Sequence, residues 1–457
     1  MIEPERSAAC RRRLAGALLL LLLTACSSAE PPRPDVVLIT LDTTRADHLG
    51  VYGYPRGTSP ELDAFAVEAV VHDRAWSTAP WTLPSHASML TGKWPTSHGA
   101  RYLRGERPGE NTASLGDVMP RVSKRSFRVN RLVESHRTLA EILQERGYAT
   151  AAFAGGHWLA PEFGLLQGYA HQDCRTKRPE GRPADEINRA VADWLDGIPP
   201  ERPMHLLVNY FDAHDPYTPA EADMLPRETL PEGLTPRYAE MIDAYDAEIR
   251  FMDRHLGALF DLLRAKGRFD DALIIVVADH GEQFGEHGRE GHGPWLDEEL
   301  LRVPLVVRFP GGRDGGRRAA EPVSVVDLLP LVAEEVGFAP PAGVEGRAPG
   351  TAPYVLAETR PSAFHLRVLG PDVDREVHAM IDWPWKLLSE SNGRRALFRL
   401  DEDPKERAPV DDAARLEAMS RRLGQTLAAL DPASEDAAPQ NVSPETEDHL
   451  RTLGYIE

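Results

Sequence analysis

Short, continuous apolar runs alternate along the chain with longer segments in which apolar residues recur every three or four positions. Runs of the first kind occupy residues 35–41, 149–153, 204–211 and 272–278. Segments of this length that are largely apolar are typical of parallel strands buried on both faces. The helical pattern is longest over residues 236–266, where the apolar residues form one stripe. The alternation predicts an α/β fold with parallel strands at its centre.

Further helices are predicted from caps and periodicity. Ser59 and Pro60 predict a helix that begins there and continues to residue 71, because Ser caps helices and Pro is favoured in the first turn. Other predicted helices cover residues 138–146, 184–195, 324–336 and 412–430. Residues 101–136 are polar and basic with little periodicity, which predicts an elaborated surface loop that could act as a lid.

The length of the chain predicts more than one domain. Its 457 residues exceed the usual size of a single core, and a Pro- and Gly-rich connection follows residue 336. We therefore expect a large domain over residues 35–350, a smaller one over residues 351–430 with short strand-like runs, and a polar tail over residues 431–457.

The N-terminus has the pattern of an export signal. An arginine cluster precedes a short leucine-rich run, which predicts a signal peptide over residues 1–25. Residues 23–26, Leu-Thr-Ala-Cys, resemble a bacterial lipobox, so Cys26 is the expected lipid-bearing residue and residues 26–34 a tether. The alternative is a plain secretory signal. Both interpretations predict an exported protein. The lipobox interpretation also predicts that it is a membrane-anchored lipoprotein of the cell envelope.

The net charge of the chain limits its partners. The formal net charge is −19, so the surface repels nucleic acid and is not attracted electrostatically to anionic lipid. An anionic substrate would have to be attracted by a local feature, most simply a bound metal ion.

Polar side chains follow three of the apolar runs. Asp42 ends the first run, Asp279 and His280 end the fourth, and Asp212 and His214 follow the third. Open α/β sheets bind ligands at the carboxyl ends of their strands, and carboxylates with one imidazole suit a divalent ion. The alternatives are that Asp42 only forms a turn and that the others are solvated loop charges.

Thr82 lies in a segment punctuated by proline and glycine, APWTLPSHASMLTGKWPTSHG over residues 79–99. This punctuation predicts that Thr82 lies on a turn just before a helix that begins at Ser85. Free N–H groups at a helix N-terminus favour an anion, so a hydroxyl there could attack phosphate or sulfate. The alternative is that Thr82 only caps the helix.

A series of motifs in fixed order resembles the sulfatase family of the alkaline phosphatase superfamily. In chain order they are DVVLITLDTTRADHLGVYGY, TLPSHASMLTG, ERGYATAAFAG, FGLLQGY, HDPY, VVADHGEQFGEHG with GHG, LLRVPLVVRFPG, WKLL with LFRLDEDPKE, and LRTLGYIE. The resemblance covers nearly the whole chain after the signal. It implies a central mixed sheet flanked by helices and a small C-terminal antiparallel sheet.

The resemblance also implies roles for individual residues. Asp42, Asp279 and His280 take the positions of metal ligands, and Thr82 takes that of the nucleophile, itself bound to the metal. His214 resembles the histidine that meets the leaving group. The position of His292 is near that of a substrate-binding lysine in many sulfatases. Lys386 lies in the C-terminal sheet, where packing or a surface charge is an equally good explanation.

Several positions depart from the family pattern. Sulfatases carry Cys or Ser at the nucleophile position and oxidise it to formylglycine, whereas this chain has Thr82. His86 replaces an arginine, Thr43 replaces an acidic residue, and the lysine of the GKWHLG motif is missing from residues 154–159. The positive groups that bind sulfate are therefore fewer.

Together these features predict a metal-dependent ester hydrolase that acts on a small anionic phosphate or sulfate ester, through a covalent intermediate on Thr82. The cofactor is a divalent ion, Ca, Mg, Mn or Zn. Whether a second ion binds stays open, with His292, His214, Asp212 and His86 as its candidate ligands. His214 or His292 would protonate the leaving oxygen. The alternatives are a phosphoethanolamine- or phosphoglycerol-type transferase and an inactive binding lipoprotein.

Overall fold

The computed structural model describes residues 33–102, 129–176, 178, 180–227, 234–433 and 443–452. The predicted signal peptide, Cys26 and most of the predicted lid lie outside the described residues. Residues from Pro34 onward form one compact unit. In the part of the chain that is described, no helix combines the length and apolar character needed to cross a bilayer.

The strands are numbered in chain order. They are β1 Val36–Leu41, β2 Val70–His72, β3 Ala75–Trp76, β4 Ala149–Ala154, β5 His171–Asp173, β6 Met204–Tyr210, β7 Leu273–Val277, β8 Gln283–Phe284, β9 Glu290–Gly291, β10 Arg302–Val303, β11 Leu305–Arg308, β12 Arg318–Ala319, β13 Val323–Ser324, β14 Val355–Thr359, β15 Val377–Asp382, β16 Trp385–Glu390 and β17 Arg395–Arg399.

The α-helices are numbered in the same way. They are α1 Pro60–Ala66, α2 Thr82–Thr91, α3 Pro95–His98, α4 Leu139–Glu145, α5 Ala184–Leu195, α6 Pro236–Ala265, α7 Glu298–Leu301, α8 Leu328–Val336, α9 Ala363–Leu369, α10 Ala413–Ala429 and α11 Pro444–Thr452.

The central sheet has the strand order β12-β2-β11-β7-β1-β6-β4-β5. Strands β7, β1, β6, β4 and β5 are parallel to one another, and β11 is antiparallel to both β7 and β2. The sheet is therefore mixed, as expected. Because β1 lies between β6 and β7, the three strands that precede the candidate ligands end side by side.

The strands at the centre of the sheet are buried along their whole length, as their apolar sequences predict. Every residue of β1, β6 and β7 is buried. The stripe on α6 packs into the same core, with Tyr245, Ile249 and Met252 among its buried members. This core holds the carboxyl edge of the sheet rigidly, which is where the candidate site lies.

The helix predicted from Ser59 to residue 71 is too long. Helix α1 ends at Ala66, and Val70 and Val71 belong to β2, which pairs with β11 and β12 in the central sheet. Pairing with two neighbouring strands and full burial favour the extended conformation for these β-branched residues, and this outweighs a continued helix.

The C-terminal sheet is antiparallel and has the order β14-β15-β16-β17. One of its faces packs with Trp76 and Leu301, and the other packs with Met419 and Leu423 of α10. Lys386 is fully buried between the carboxylates of Glu298, at 2.9 Å, and Glu406, at 3.0 Å. Packing is therefore its role, and the alternative of a surface charge is wrong.

Candidate active site

Three side chains meet at the carboxyl ends of β1 and β7. Asp42 follows β1, Asp279 and His280 follow β7, and all three are fully buried. One ligand atom from each lies within 4.8 Å of the other two. The Nε2 atom of His280 is 3.9 Å from Asp42 Oδ1 and 3.5 Å from Asp279 Oδ2. The structure thus brings together the three residues predicted to bind a metal.

Two carboxylate oxygens of this group have no hydrogen-bond partner among the described residues, although His86 Nδ1 lies 3.5 Å from one of them, Asp279 Oδ2. Asp42 Oδ1 and Asp279 Oδ2 are buried and accept no hydrogen bond from the described residues. His280 Nδ1 lies 2.9 Å from the carbonyl oxygen of Gly281, so its proton sits there and Nε2 presents a lone pair. Two carboxylate oxygens and one imidazole nitrogen that converge in this way fit a divalent cation.

Electrostatics support the same interpretation. Burial and the neighbouring carboxylate of Asp279 raise the pKa of Asp42 well above its ordinary value. Burial also raises the pKa of Asp279. Burial lowers the pKa of His280 to about 4, so its ring is neutral at physiological pH. A buried pair of carboxylates without a counter-ion is unfavourable, and a bound cation would relieve that cost.

Thr82 is the first residue of α2, and the helix does not begin at Ser85 as predicted. The N-cap position belongs to Trp81, so the alternative in which Thr82 caps the helix is wrong. Pro84 lies within the first turn, where a missing N–H costs nothing. The Thr82 hydroxyl is fully buried, and its oxygen is 3.4 Å from His280 Nε2. The candidate nucleophile therefore adjoins the candidate metal ligands.

Two further histidines lie beside the group. The ring centroid of His292 is 4.5 Å from that of His280 and 5.2 Å from that of His214. Although burial opposes it, the carboxylate of Glu282, about 3.1 Å from His292 Nδ1, raises the pKa of His292. Burial and the neighbouring His292 lower the pKa of His214 well below its ordinary value. The two rings thus differ in their affinity for a proton, as acid and base partners often do.

The other two predicted ligands of a second metal have different surroundings. Asp212 Oδ1 accepts from the N–H of Ala184, so this carboxylate caps α5. His86 hydrogen-bonds the carbonyl oxygen of Thr82 and the hydroxyl of Thr40. Within the described ranges, the group of Asp42, Asp279 and His280 is the single one with metal-binding geometry.

His86 also fails to replace the charge of the arginine that the family carries at its position. Burial lowers the pKa of His86 to about 4, so the ring is neutral. Its ring instead links α2 to β1 through the bonds to Thr82 and Thr40.

Sequence reasoning missed Asn209, which lies within β6 and is fully buried. Its side-chain amide donates to Asp42 Oδ2 at 3.2 Å and to Thr40 Oγ1 at 3.1 Å, and its oxygen accepts from the N–H of Gly156 at 3.1 Å. These bonds turn Asp42 Oδ1 toward His280. A polar amide inside an apolar run was the signal that could have revealed it.

Thr43 has a role that its residue type does not indicate. Its φ of 52° is in the left-handed region, which non-glycine residues rarely adopt. Its N–H donates to Asp279 Oδ1, and its hydroxyl lies 2.7 Å from the carbonyl oxygen of Ala213, next to His214. Thr43 therefore ties the ends of β1, β6 and β7 together at the point where the family has an acidic residue.

Gly156 is closely surrounded in the segment, residues 154–159, that lacks the family lysine. A Cβ atom on Gly156 would lie 2.8 Å from the ring of Phe211 and 3.2 Å from Asn209 Oδ1. The backbone N–H of Gly156, by contrast, holds Asn209 in place. A side chain at this position would require Phe211 and Asn209, the partner of Asp42, to shift.

This fold and site define an α/β protein of the class that contains metal-dependent ester hydrolases. A family model described as "Sulfatase" matches residues 34–338. The chain therefore belongs to the sulfatase family.

Individual relatives agree with this assignment. An arylsulfatase of Clostridium perfringens is 25% identical over 437 residues, which cover 82% of this chain and 89% of that protein. The multifunctional alkaline phosphatase superfamily protein PehA of Trinickia caryophylli is 35% identical over 144 residues, 31% of this chain and 26% of that protein. The structure of a phosphonate monoester hydrolase from Silicibacter pomeroyi matches with a TM-score of 0.65 at 18% identity, over 90% of this chain and all of that one.

Proposed function

We propose that this protein is a metal-dependent hydrolase of phosphate esters in which Thr82 is the nucleophile. The observation that carries the proposal is the position of the Thr82 hydroxyl at the start of α2, 3.4 Å from His280 Nε2 and beside two buried carboxylate oxygens. A hydroxyl in these surroundings is placed to attack an anionic ester.

Asp42, Asp279 and His280 would hold the divalent ion, with Thr82 at its edge. When bound, such an ion lowers the pKa of a hydroxyl and offsets negative charge on the substrate. The neutral ring of His280 and the two carboxylates form a set of ligands with a net charge of −2, which a divalent cation balances.

In the first step the Thr82 oxygen attacks phosphorus and the bond from phosphorus to the leaving oxygen breaks. The hydroxyl proton of Thr82 passes to solvent, and the leaving oxygen takes a proton from His292, directly or by way of His214, and that proton is then replaced from solvent. Glu282, about 3.1 Å from His292 Nδ1, raises the pKa of His292, and the backbone carbonyl oxygen of Asp215 accepts from His214 Nδ1 at 2.5 Å. In the second step water attacks phosphorus, and Thr82 regains its proton as phosphate leaves.

Two features support phosphate esters over sulfate esters. Thr82 cannot be oxidised to the aldehyde of formylglycine, so it lacks the hydrate that lets sulfatases release sulfate, and its intermediate must be hydrolysed directly. The second is the loss of a group with which sulfatases bind sulfate, since His86 is neutral where they have an arginine.

Hydrolysis of sulfate esters is the second candidate function. It is favoured by the family match over residues 34–338 and by the arylsulfatase relative. The proposal also includes export and lipid anchoring through Cys26, which the arginine cluster, the leucine-rich run and the lipobox-like residues support.

The test compares 4-nitrophenyl phosphate, bis(4-nitrophenyl) phosphate and 4-nitrophenyl sulfate as substrates of the full chain in detergent. The protein is stripped of metal and then supplied with Zn²⁺, Mn²⁺, Mg²⁺ or Ca²⁺. Thr82→Ala is the inactive variant, and Thr82→Ser, which keeps the hydroxyl, is the matched control. Turnover of a phosphate ester by the wild type and Thr82→Ser but not by Thr82→Ala is expected. Turnover of sulfate alone would contradict the proposal.

A further inference from the structure

The C-terminal helix α11 packs against the two turns that follow β4. Leu450 is fully buried in the main core. The hydroxyl of Thr446 donates to Glu162 at 2.6 Å, and the ring of His449 lies 4.6 Å from that of His157. The segment predicted to be a polar tail, residues 431–457, contains the helix of residues 444–452, which packs on the large domain.

A series of ring contacts leads from this helix to the candidate site. His157 meets Phe211 edge-on, with centroids 6.2 Å apart and an interplanar angle of 82°. Phe211 in turn stacks on His214, with centroids 4.3 Å apart and an angle of 15°. Both His157 and His449 are more than nine-tenths buried. The contacts therefore run through close-packed interior, where a shift of one ring displaces the next.

Phe211 has no room to move away from this series. A Cβ atom on Gly156 or Gly181 would lie within 2.8 Å of its ring, and one on Gly155 would lie 2.8 Å from its Cβ atom, so two stretches of glycine backbone pack closely around this side chain. Its orientation is thus defined on one side by glycine backbone and on the others by His157 and His214. Because the interior is close-packed, a displacement of His157 would displace the Phe211 ring, and that would displace the ring of His214.

Two of its contacts restrict the orientation of the His214 ring. Its Nδ1 donates to the carbonyl oxygen of Asp215 at 2.5 Å, and its face lies on Phe211. The hydrogen bond alone would still allow the imidazole ring to rotate about the line from Nδ1 to the carbonyl oxygen. The stacked phenyl ring of Phe211 prevents this rotation. With both contacts present, the ring plane is defined relative to His292, 5.2 Å away.

We propose that α11 is part of the active-site scaffold and that His449 and His157 are positioning residues, which set the orientation of His214 through Phe211. This inference rests on the proposed role of His214 at the leaving oxygen, in which the ring, with its Nδ1–H bonded to the Asp215 carbonyl, receives a proton from His292 at Nε2 and passes it to that oxygen. Proton donation needs a ring held at hydrogen-bond distance, so a small loss of orientation lowers the rate without removing the nucleophile.

The first experiment compares two phosphate esters that differ in how much they need a proton donor. Phenyl phosphate has a basic leaving oxygen, and 4-nitrophenyl phosphate has a much less basic one. His449→Ala in the full chain should lose about tenfold in kcat on phenyl phosphate and less than twofold on 4-nitrophenyl phosphate. His449→Phe restores the ring and should recover most of the loss. Asp448→Ala, an exposed neighbour on α11, is the matched control and should behave as wild type.

Equal losses on the two esters, or no loss on either, would overturn the inference, because a merely structural effect acts on both alike. If His449→Ala does not fold, His449→Leu fills most of the same volume without the ring, and the same comparison applies.

The second experiment does not require turnover. The imidazole resonances of the full chain are recorded by NMR, and that of His214 is assigned from the spectrum of His214→Asn. His449→Ala should shift the His214 resonance, and Asp448→Ala should leave it unchanged. If the wild type hydrolyses neither ester, the proposed function fails, but this spectrum still decides the inference. An unchanged His214 resonance in His449→Ala would overturn it.

Discussion

Replacement of Asn209 by alanine tests whether the candidate site is built to hold a cation. Asn209 is fully buried, and its amide makes three hydrogen bonds, one of them to the carboxylate of Asp42. The variant removes all three and leaves Asp42 Oδ2, Thr40 and the N–H of Gly156 without this partner.

The expected loss of stability in Asn209→Ala follows from the types of hydrogen bond that the variant removes. Two bonds between neutral groups contribute about 1 kcal/mol each and the bond to the carboxylate about 2 kcal/mol, so the variant should lose roughly 4 kcal/mol of stability. The side chain of Asp42 also becomes free to rotate. Loss of the group that orients a ligand typically lowers metal affinity about 10- to 100-fold.

The assay is a titration of the metal-stripped full chain with Mn²⁺, followed by EPR, together with urea unfolding of the metal-free protein. Asn188→Ala is the matched control. Its amide also bonds two groups, the carbonyl oxygen of His255 and the hydroxyl of Tyr210, but it lies between α5 and α6. The control should lose about 2 kcal/mol of stability and keep the wild-type affinity for Mn²⁺.

Equal affinity for Mn²⁺ in Asn209→Ala and the wild type would refute the reasoning, whatever the loss of stability. It would mean that Asp42 either does not bind the ion or is oriented by other groups. A parallel loss of affinity in Asn188→Ala would point to general destabilisation as the cause.

Three further predictions concern buried charge. Lys386→Met should cost about 3–5 kcal/mol in urea unfolding, because Glu298 and Glu406 stay buried without their cation, and a loss below 1 kcal/mol would contradict this. Burial lowers the pKa of His205 to about 4, so only the unfolded chain binds this proton as the pH falls below 6.5, and stability falls with it. Between pH 7 and pH 5, the free energy of unfolding of His205→Gln should therefore fall by about 2 kcal/mol less than that of the wild type. The same pH dependence in the variant and the wild type would contradict this. Asp42→Asn should stabilise the metal-free protein and abolish the rise in Tm on addition of Mn²⁺, and a rise equal to that of wild type would exclude Asp42 as a ligand.

Much of the fold follows from local patterns. The predicted helices over residues 184–195 and 236–266 agree with α5 and α6 to within one residue, and the strands at the centre of the sheet lie where the apolar runs predict them. Such patterns are informative because a buried strand or an amphipathic helix must place apolar side chains at a fixed period. Helix α1 was predicted too long, because pairing of Val70 and Val71 in the central sheet is a tertiary effect.

The sequence by itself determined which chemical groups stand at the strand ends, namely Asp42, Asp279 and His280, and that Thr82 lies near the start of a helix. Only the tertiary structure decided how they meet. The order β6-β1-β7 places Asp42 between its neighbours. Burial then makes His86 neutral, and Asn209 becomes the residue that orients Asp42. Chemical identity is local, whereas desolvation and hydrogen-bond partnership depend on which distant segments the fold brings within a few ångströms.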